Sequence, residues 1–142
     1  VLTSMNIGSV ALEGDRLVVR CSVRSALPTH LSQWLLPQLR TVADTFGVHA
    51  EESDFYPGWE FQAESPIRDA AMAAYRDITG KEAVYKVLHG GLECGILMEE
   101  LGFTDAISYG AALNHPHSPA EELCISSVGT SYRLIQEVLK KL

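Results

Sequence analysis

The stretch from Met5 to Arg24 constrains the fold most. "NIGSVALE" and "RLVVRCSVR" are β-rich runs on either side of Glu13-Gly14-Asp15, a short turn with glycine at its centre, which is the signature of a β-hairpin. In the second run Leu17, Val19, Cys21 and Val23 alternate with Arg16, Val18, Arg20, Ser22 and Arg24. A period of two is what a strand with one apolar face requires. Any fold for this chain therefore begins with two adjacent antiparallel strands whose apolar face needs a cover.

A helix is expected next, with Thr29 as N-cap and Leu31, Leu35, Leu39, Val42 and Phe46 at helical spacing. Pro37 falls inside that pattern and calls for a kink or a late start. Gly47 ends the helix, and "VHAEESDF" reads as a return strand. The order β-β-α-β over about 54 residues is half of an α+β sandwich, a small unit to stand alone. "YPGWEFQAESP", residues 56–66, has no periodicity and marks a boundary. Ser65-Pro66 then opens a helix that runs to Ile78 and closes at Gly80. "AVYKVLH" is an expected strand, residues 93–101 a helix, and "DAISYGA" another strand. Ser127 is the expected cap of a final helix through Leu142, with Val128, Tyr132, Ile135, Leu139 and Leu142 as its buried stripe. Alternation of helix and strand is the pattern of an α/β layer.

The chain has 142 residues, is 46% hydrophobic and carries a formal net charge of -7. That balance speaks against a nucleic-acid surface, which needs a basic patch. No apolar run approaches the roughly 18 residues of a membrane span, and "VLTSMNIGSV" lacks the basic start and apolar core of a secretory leader. Three widely spaced cysteines, Cys21, Cys94 and Cys124, do not make a disulfide framework and fit a reducing cytosol. The strand-like start without Met has the texture of a fragment of a longer protein.

Two stretches carry candidate chemistry. In "HGGLECG", residues 89–95, small residues let backbone approach a ligand, and the following helix offers free N–H groups to an anion. A tight strand-to-helix turn without a ligand explains the same residues. Cys94 lies at that helix start, where a thiolate is stabilised, but a structural cysteine is the commoner case. In "HPHSPAEE", His115 and His117 sit in a proline-flanked loop that suits a metal ligand or a general base, or else a plain surface turn. Arg24 ends a strand and can reach a carboxylate bidentately, or simply be solvated. Both odd stretches follow expected strands, and ligands in α/β sheets gather at strand carboxyl ends.

Taken in order, "SMNIG", "SVRSA", "YPGW", "SPI", "HGGLECG", "ISYG" and "HSPAE" resemble the C-terminal part of aminoacyl-histidine dipeptidases, carnosinase-like two-zinc metallopeptidases. The resemblance covers essentially the whole chain. It implies an α/β plus α+β fold: residues 1–54 as the second half of a ferredoxin-like lid and dimerisation domain, and 55–142 as the C-terminal half of a zinc-peptidase α/β catalytic domain. It implies a cytoplasmic hydrolase of aminoacyl-histidine or related dipeptides, dimeric through the lid, with two zinc ions per full-length subunit. His117 falls on a zinc ligand. Gly91 falls on a glycine whose N–H holds the substrate carboxylate, Arg24 on the lid arginine that clamps the same group, and His89 on a position that shapes the turn. The general-base Glu and the other ligands belong to the upstream half, so the chain alone is expected to be inactive. Two residues depart from the family pattern: Ala120 stands where Asp is usual after His-Ser-Pro, and Gly90 where Ala is common. A non-catalytic ligand-binding or dimerisation module of the same fold is the alternative, and a third reading is another member of the two-zinc clan, such as an aminoacylase or a tripeptidase.

Overall fold

A computed structural model describes all 142 residues. Strands β1 (Thr3–Glu13) and β2 (Arg16–Ser25) pair antiparallel as expected. Their register holds one irregularity. Ile7 faces Cys21 while Ser9 faces Arg20, so Gly8 is an extra residue in a bulge. A one-residue shift flips side chains to the other face. Met5 and Ile7 precede the bulge, Val10 and Leu12 follow it, and their opposite parities are thereby reconciled. All four join Leu17, Val19, Cys21 and Val23 on a single face.

The next helix starts earlier than expected and by a different device. Leu27 is the N-cap and makes no side-chain cap bond, so Thr29 does not cap it. Pro28 opens α1 (Pro28–His30), since proline's fixed φ and missing N–H suit a first turn. A π-helical turn, Leu31–Leu35, links α1 to α2 (Leu36–Phe46). There the Leu36 N–H reaches five residues back to the Leu31 carbonyl. Pro37 lacks the N–H that would continue the four-residue ladder, and its ring crowds the preceding turn. The wider turn before it absorbs that conflict without breaking the helix.

Helix α3 (Pro66–Thr79) has the expected bounds, and α4 spans Glu93–Leu101. Ser65 caps α3 by accepting the Arg68 N–H at 3.1 Å. Its hydroxyl donates to Asp105 Oδ1 at 2.6 Å, while Asp105 Oδ2 accepts the Ile67 N–H at 3.1 Å. A carboxylate from a distant loop thus completes the cap. Short strands β3 (Leu113–Asn114) and β4 (Glu122–Leu123) pair antiparallel, and α5 (Ile125–Leu139) follows. Cys124, not Ser127, is its N-cap. Ser127 instead ties the helix start to the preceding chain, donating to the Cys124 carbonyl at 2.6 Å and accepting the Ala112 N–H at 2.9 Å.

Three expected strands, 48–55, 83–89 and 105–111, take no part in a ladder. A strand is defined by its ladder with a neighbour, and these segments belong to neither of the two sheets. The side chains of Val84, Val87 and Leu88 are accordingly exposed.

The chain groups into two compact units, Val1–Phe61 with Val87–Glu100, and Gln62–Lys86 with Leu101–Leu142. In the second unit α3 and α5 pack through Ala71, Ala74 and Val138, with Ile107 and Leu134 at the margin. This corrects the expected stripe of α5: Val128, Tyr132, Ile135, Leu139 and Leu142 are exposed. The helix is apolar on two faces, and the small alanines of α3 admit the one that carries Leu134 and Val138.

Candidate functional site

Within the first unit the turn before α4 is clamped from three directions. Ser4 Oγ of β1 and His89 Nε2 share a hydrogen bond of 2.6 Å. The Arg24 guanidinium of β2 donates to the His89 carbonyl at 3.4 Å. Behind the turn, Tyr56 lies so close to Gly91 that a Cβ there would meet its ring at 3.3 Å. One turn into α4, a Cβ on Gly95 would stand 2.7 Å from the Pro57 carbonyl oxygen. Glycine is thus required at 95 and favoured at 91, because neighbouring chain occupies the space. Gly90 has nothing within 4 Å, so the departure from Ala there leaves the packing unchanged.

Arg24, His89 and Gly91 therefore fall in one neighbourhood. It presents a guanidinium beside the start of a helix, whose first N–H groups have no intrahelical acceptors, and such a pair suits a carboxylate. Cys94 points the other way chemically. Partial burial, with the Glu93 carboxylate adding to it, raises its thiol above the ordinary cysteine range, so a nucleophilic role gains no support.

His117 belongs to the second unit, in the loop between β3 and β4. His115 and His117 both have left-handed backbone, with φ of 50° and 62°. Four hydrogen bonds hold this turn. Ser118 Oγ donates to the His115 carbonyl at 2.8 Å and accepts the Ala120 N–H at 3.2 Å. The Glu121 N–H donates to the Ser118 carbonyl at 3.0 Å, and Glu121 Oε2 accepts the His117 N–H at 2.9 Å. Ala120 contributes only its backbone, so the loop is ordered without the carboxylate that the family pattern puts there. At the loop base the Cys124 N–H donates to the Ala112 carbonyl at 2.9 Å.

An exposed imidazole has the donor chemistry of a zinc ligand. No three His, Cys, Asp or Glu side chains converge to hold an ion.

No family model matches the sequence. Over its full length the chain is 30% identical to the "Cytosol non-specific dipeptidase" of Escherichia coli K12, of which it spans 29%. It also superposes, over its full length, on 29% of the aminoacylhistidine dipeptidase structure from Vibrio alginolyticus, with a TM-score of 0.82 at 33% identity. The chain is homologous to the C-terminal part of these dipeptidases. The mixed α/β architecture expected from the resemblance is the one found, as small sheets with helices that match part of a dipeptidase fold. No helix in it is long and apolar enough to cross a membrane.

Sequence reasoning missed Ser4, Tyr56, Asp105 and Glu121. Of these, Glu121 had a local signal: Ser118-Pro-Ala-Glu121 has the spacing of a capping box, in which a Glu side chain reaches back to a backbone N–H. The other three act across long sequence separations and leave no such trace.

Proposed function

We propose that this chain is part of a two-zinc dipeptidase that hydrolyses aminoacyl-histidine or related dipeptides in the cytosol. In this reading residues 1–54 are the second half of a lid through which the enzyme dimerises, and residues 55–142 close the catalytic domain. His117 is one ligand to one zinc ion, and the remaining ligands and the general-base Glu come from outside this chain. Zinc held there would supply a more acidic bound water and a Lewis acid for the scissile carbonyl. The chain's own residues bind and orient: the Gly91 N–H and the Arg24 guanidinium receive the substrate carboxylate, and His89 shapes the turn that offers them.

The observation that supports this reading best is similarity over the whole chain to two proteins named as dipeptidases, at 30% and 33% identity. The test is turnover of aminoacyl-histidine dipeptides by the full-length protein, with and without chelator. Chelator-sensitive hydrolysis, lost in His117→Ala and raised in KM by Arg24→Ala, is the expected result. A full-length protein that binds dipeptides without cleaving them would replace the peptidase with a binding module. Preferred cleavage of acylated amino acids or tripeptides would move it elsewhere in the two-zinc clan.

A further inference from the structure

We infer that Glu121 is a positioning residue, one that holds the left-handed turn at His115–His117 and thereby sets the placement of the His117 imidazole. The inference rests on the reading of His117 as a zinc ligand. Non-glycine residues seldom adopt positive φ, and here two of three consecutive residues do so. Such a conformation persists only where the surroundings over-determine it. Ser118 secures the His115 side of the turn, through the His115 carbonyl. On the His117 side the contact is from Glu121, whose carboxylate accepts the His117 N–H at 2.9 Å. Glu121 is itself fixed, because its own N–H donates to the Ser118 carbonyl at 3.0 Å. The ring from His117 to Glu121 is thus closed by one side-chain bond and one backbone bond. Hydrogen bonds to a carboxylate are stronger than those between neutral partners. Groups that hydrogen-bond a ligating imidazole directly change metal affinity by about 10–100-fold when removed. Glu121 acts through the His117 backbone N–H, so its effect belongs at the lower end of that range.

The test compares Glu121→Ala with Glu121→Gln in the full-length protein. The measurements are zinc affinity by chelator competition, exchange protection of the His117 amide, and KM separately from kcat. Gln keeps a carbonyl oxygen for the His117 N–H and removes only the charge. Expected for Glu121→Ala are a loss of zinc affinity of about 10-fold at one site, faster exchange at His117, and kcat reduced with KM little changed. Glu121→Gln, which keeps the bond in its weaker neutral form, should lose clearly less than Glu121→Ala in all three. Unchanged zinc affinity and protection in Glu121→Ala overturns the inference, as does a Gln variant that falls as far as Ala. Should Glu121→Ala not fold, the Gln variant and the exchange rate at His117 decide. His117→Ala is measured beside them. If it retains both zinc ions at parental affinity, the ligand reading fails, and His117 exchange in Glu121→Ala still reports on the clamp by itself.

Discussion

Cys124 and Cys94 show one side chain in opposite surroundings. The Ser126 hydroxyl, with the backbone N–H groups of Ser126 and Ser127, lowers the Cys124 thiol below the ordinary cysteine range, whereas burial raises Cys94. The thiolate is the species that reacts, so at neutral pH Cys124 carries the larger reactive fraction. Alkylation should reach half-maximal rate at lower pH for Cys124 than for Cys94, and Ser126→Ala should narrow the gap. Faster labelling of Cys94 at pH 7 would contradict this assignment. Glycine substitutions make a second contrast. In Gly95→Ala the new methyl meets the Pro57 backbone oxygen, which cannot rotate away. The overpacking cost of about 1–3 kcal/mol outweighs the helix-propensity gain of about 1 kcal/mol. Gly129 lies within α5 and has nothing within 4 Å, so Gly129→Ala should stabilise by about 0.5–1 kcal/mol. Denaturant midpoints of the two variants should move in opposite directions.

Among the elements, α3 depends on partners at both ends. At its start Ser65 and Asp105 serve three hydrogen bonds between them, and Ser65 is 3% exposed. Ser65→Ala should destabilise by about 0.5–2 kcal/mol, the range for a lost N-cap. Asp105→Ala should cost a similar amount, and the double variant less than the two together, because the residues share one network. Additive losses in denaturant melts would show that the two act separately. Near its end, Asp77 pairs with Lys141 beyond α5 at 2.8 Å. The ammonium holds the Asp77 carboxyl below the ordinary carboxylate range. A depressed folded-state pKa gives stability that is present above the ordinary carboxylate range and is lost as pH falls through the lowered value. Lys141→Met should raise the Asp77 pKa in an NMR titration and remove that acid-side dependence. An unmoved titration would show that the pair carries no weight in solution.

On the scale of the whole chain, apolar surface outruns apolar partners. Buried apolar residues are Ala43, Ala71, Ala74 and Val138, while Ile7, Val10, Leu12 and Leu17 of the hairpin and Ile125, Tyr132 and Leu139 of α5 are exposed. Burial of a large aliphatic side chain contributes about 1.5–3 kcal/mol, and these side chains forgo most of it. The purified 142-residue chain should therefore bind a hydrophobic dye and melt with low cooperativity. A sharp unfolding transition without dye binding would overturn that expectation.

What could be read in advance divides along a physical line. Periodicity, proline placement and turn glycines are local, and they determined the hairpin, α3 and α4, because each depends on residues a few positions apart. The same locality made the resemblance to dipeptidases legible as short motifs in a fixed order. Pairing and burial depend on partners distant in sequence, so only the tertiary structure decided them. It withheld ladders from 48–55, 83–89 and 105–111, chose the Leu134–Val138 face of α5 over its other apolar stripe, and brought Ser4, Arg24 and Tyr56 to the turn at His89–Gly91. Sequence can name a chemical group, but a contact needs a second group whose distance along the chain has no bearing on its distance in space.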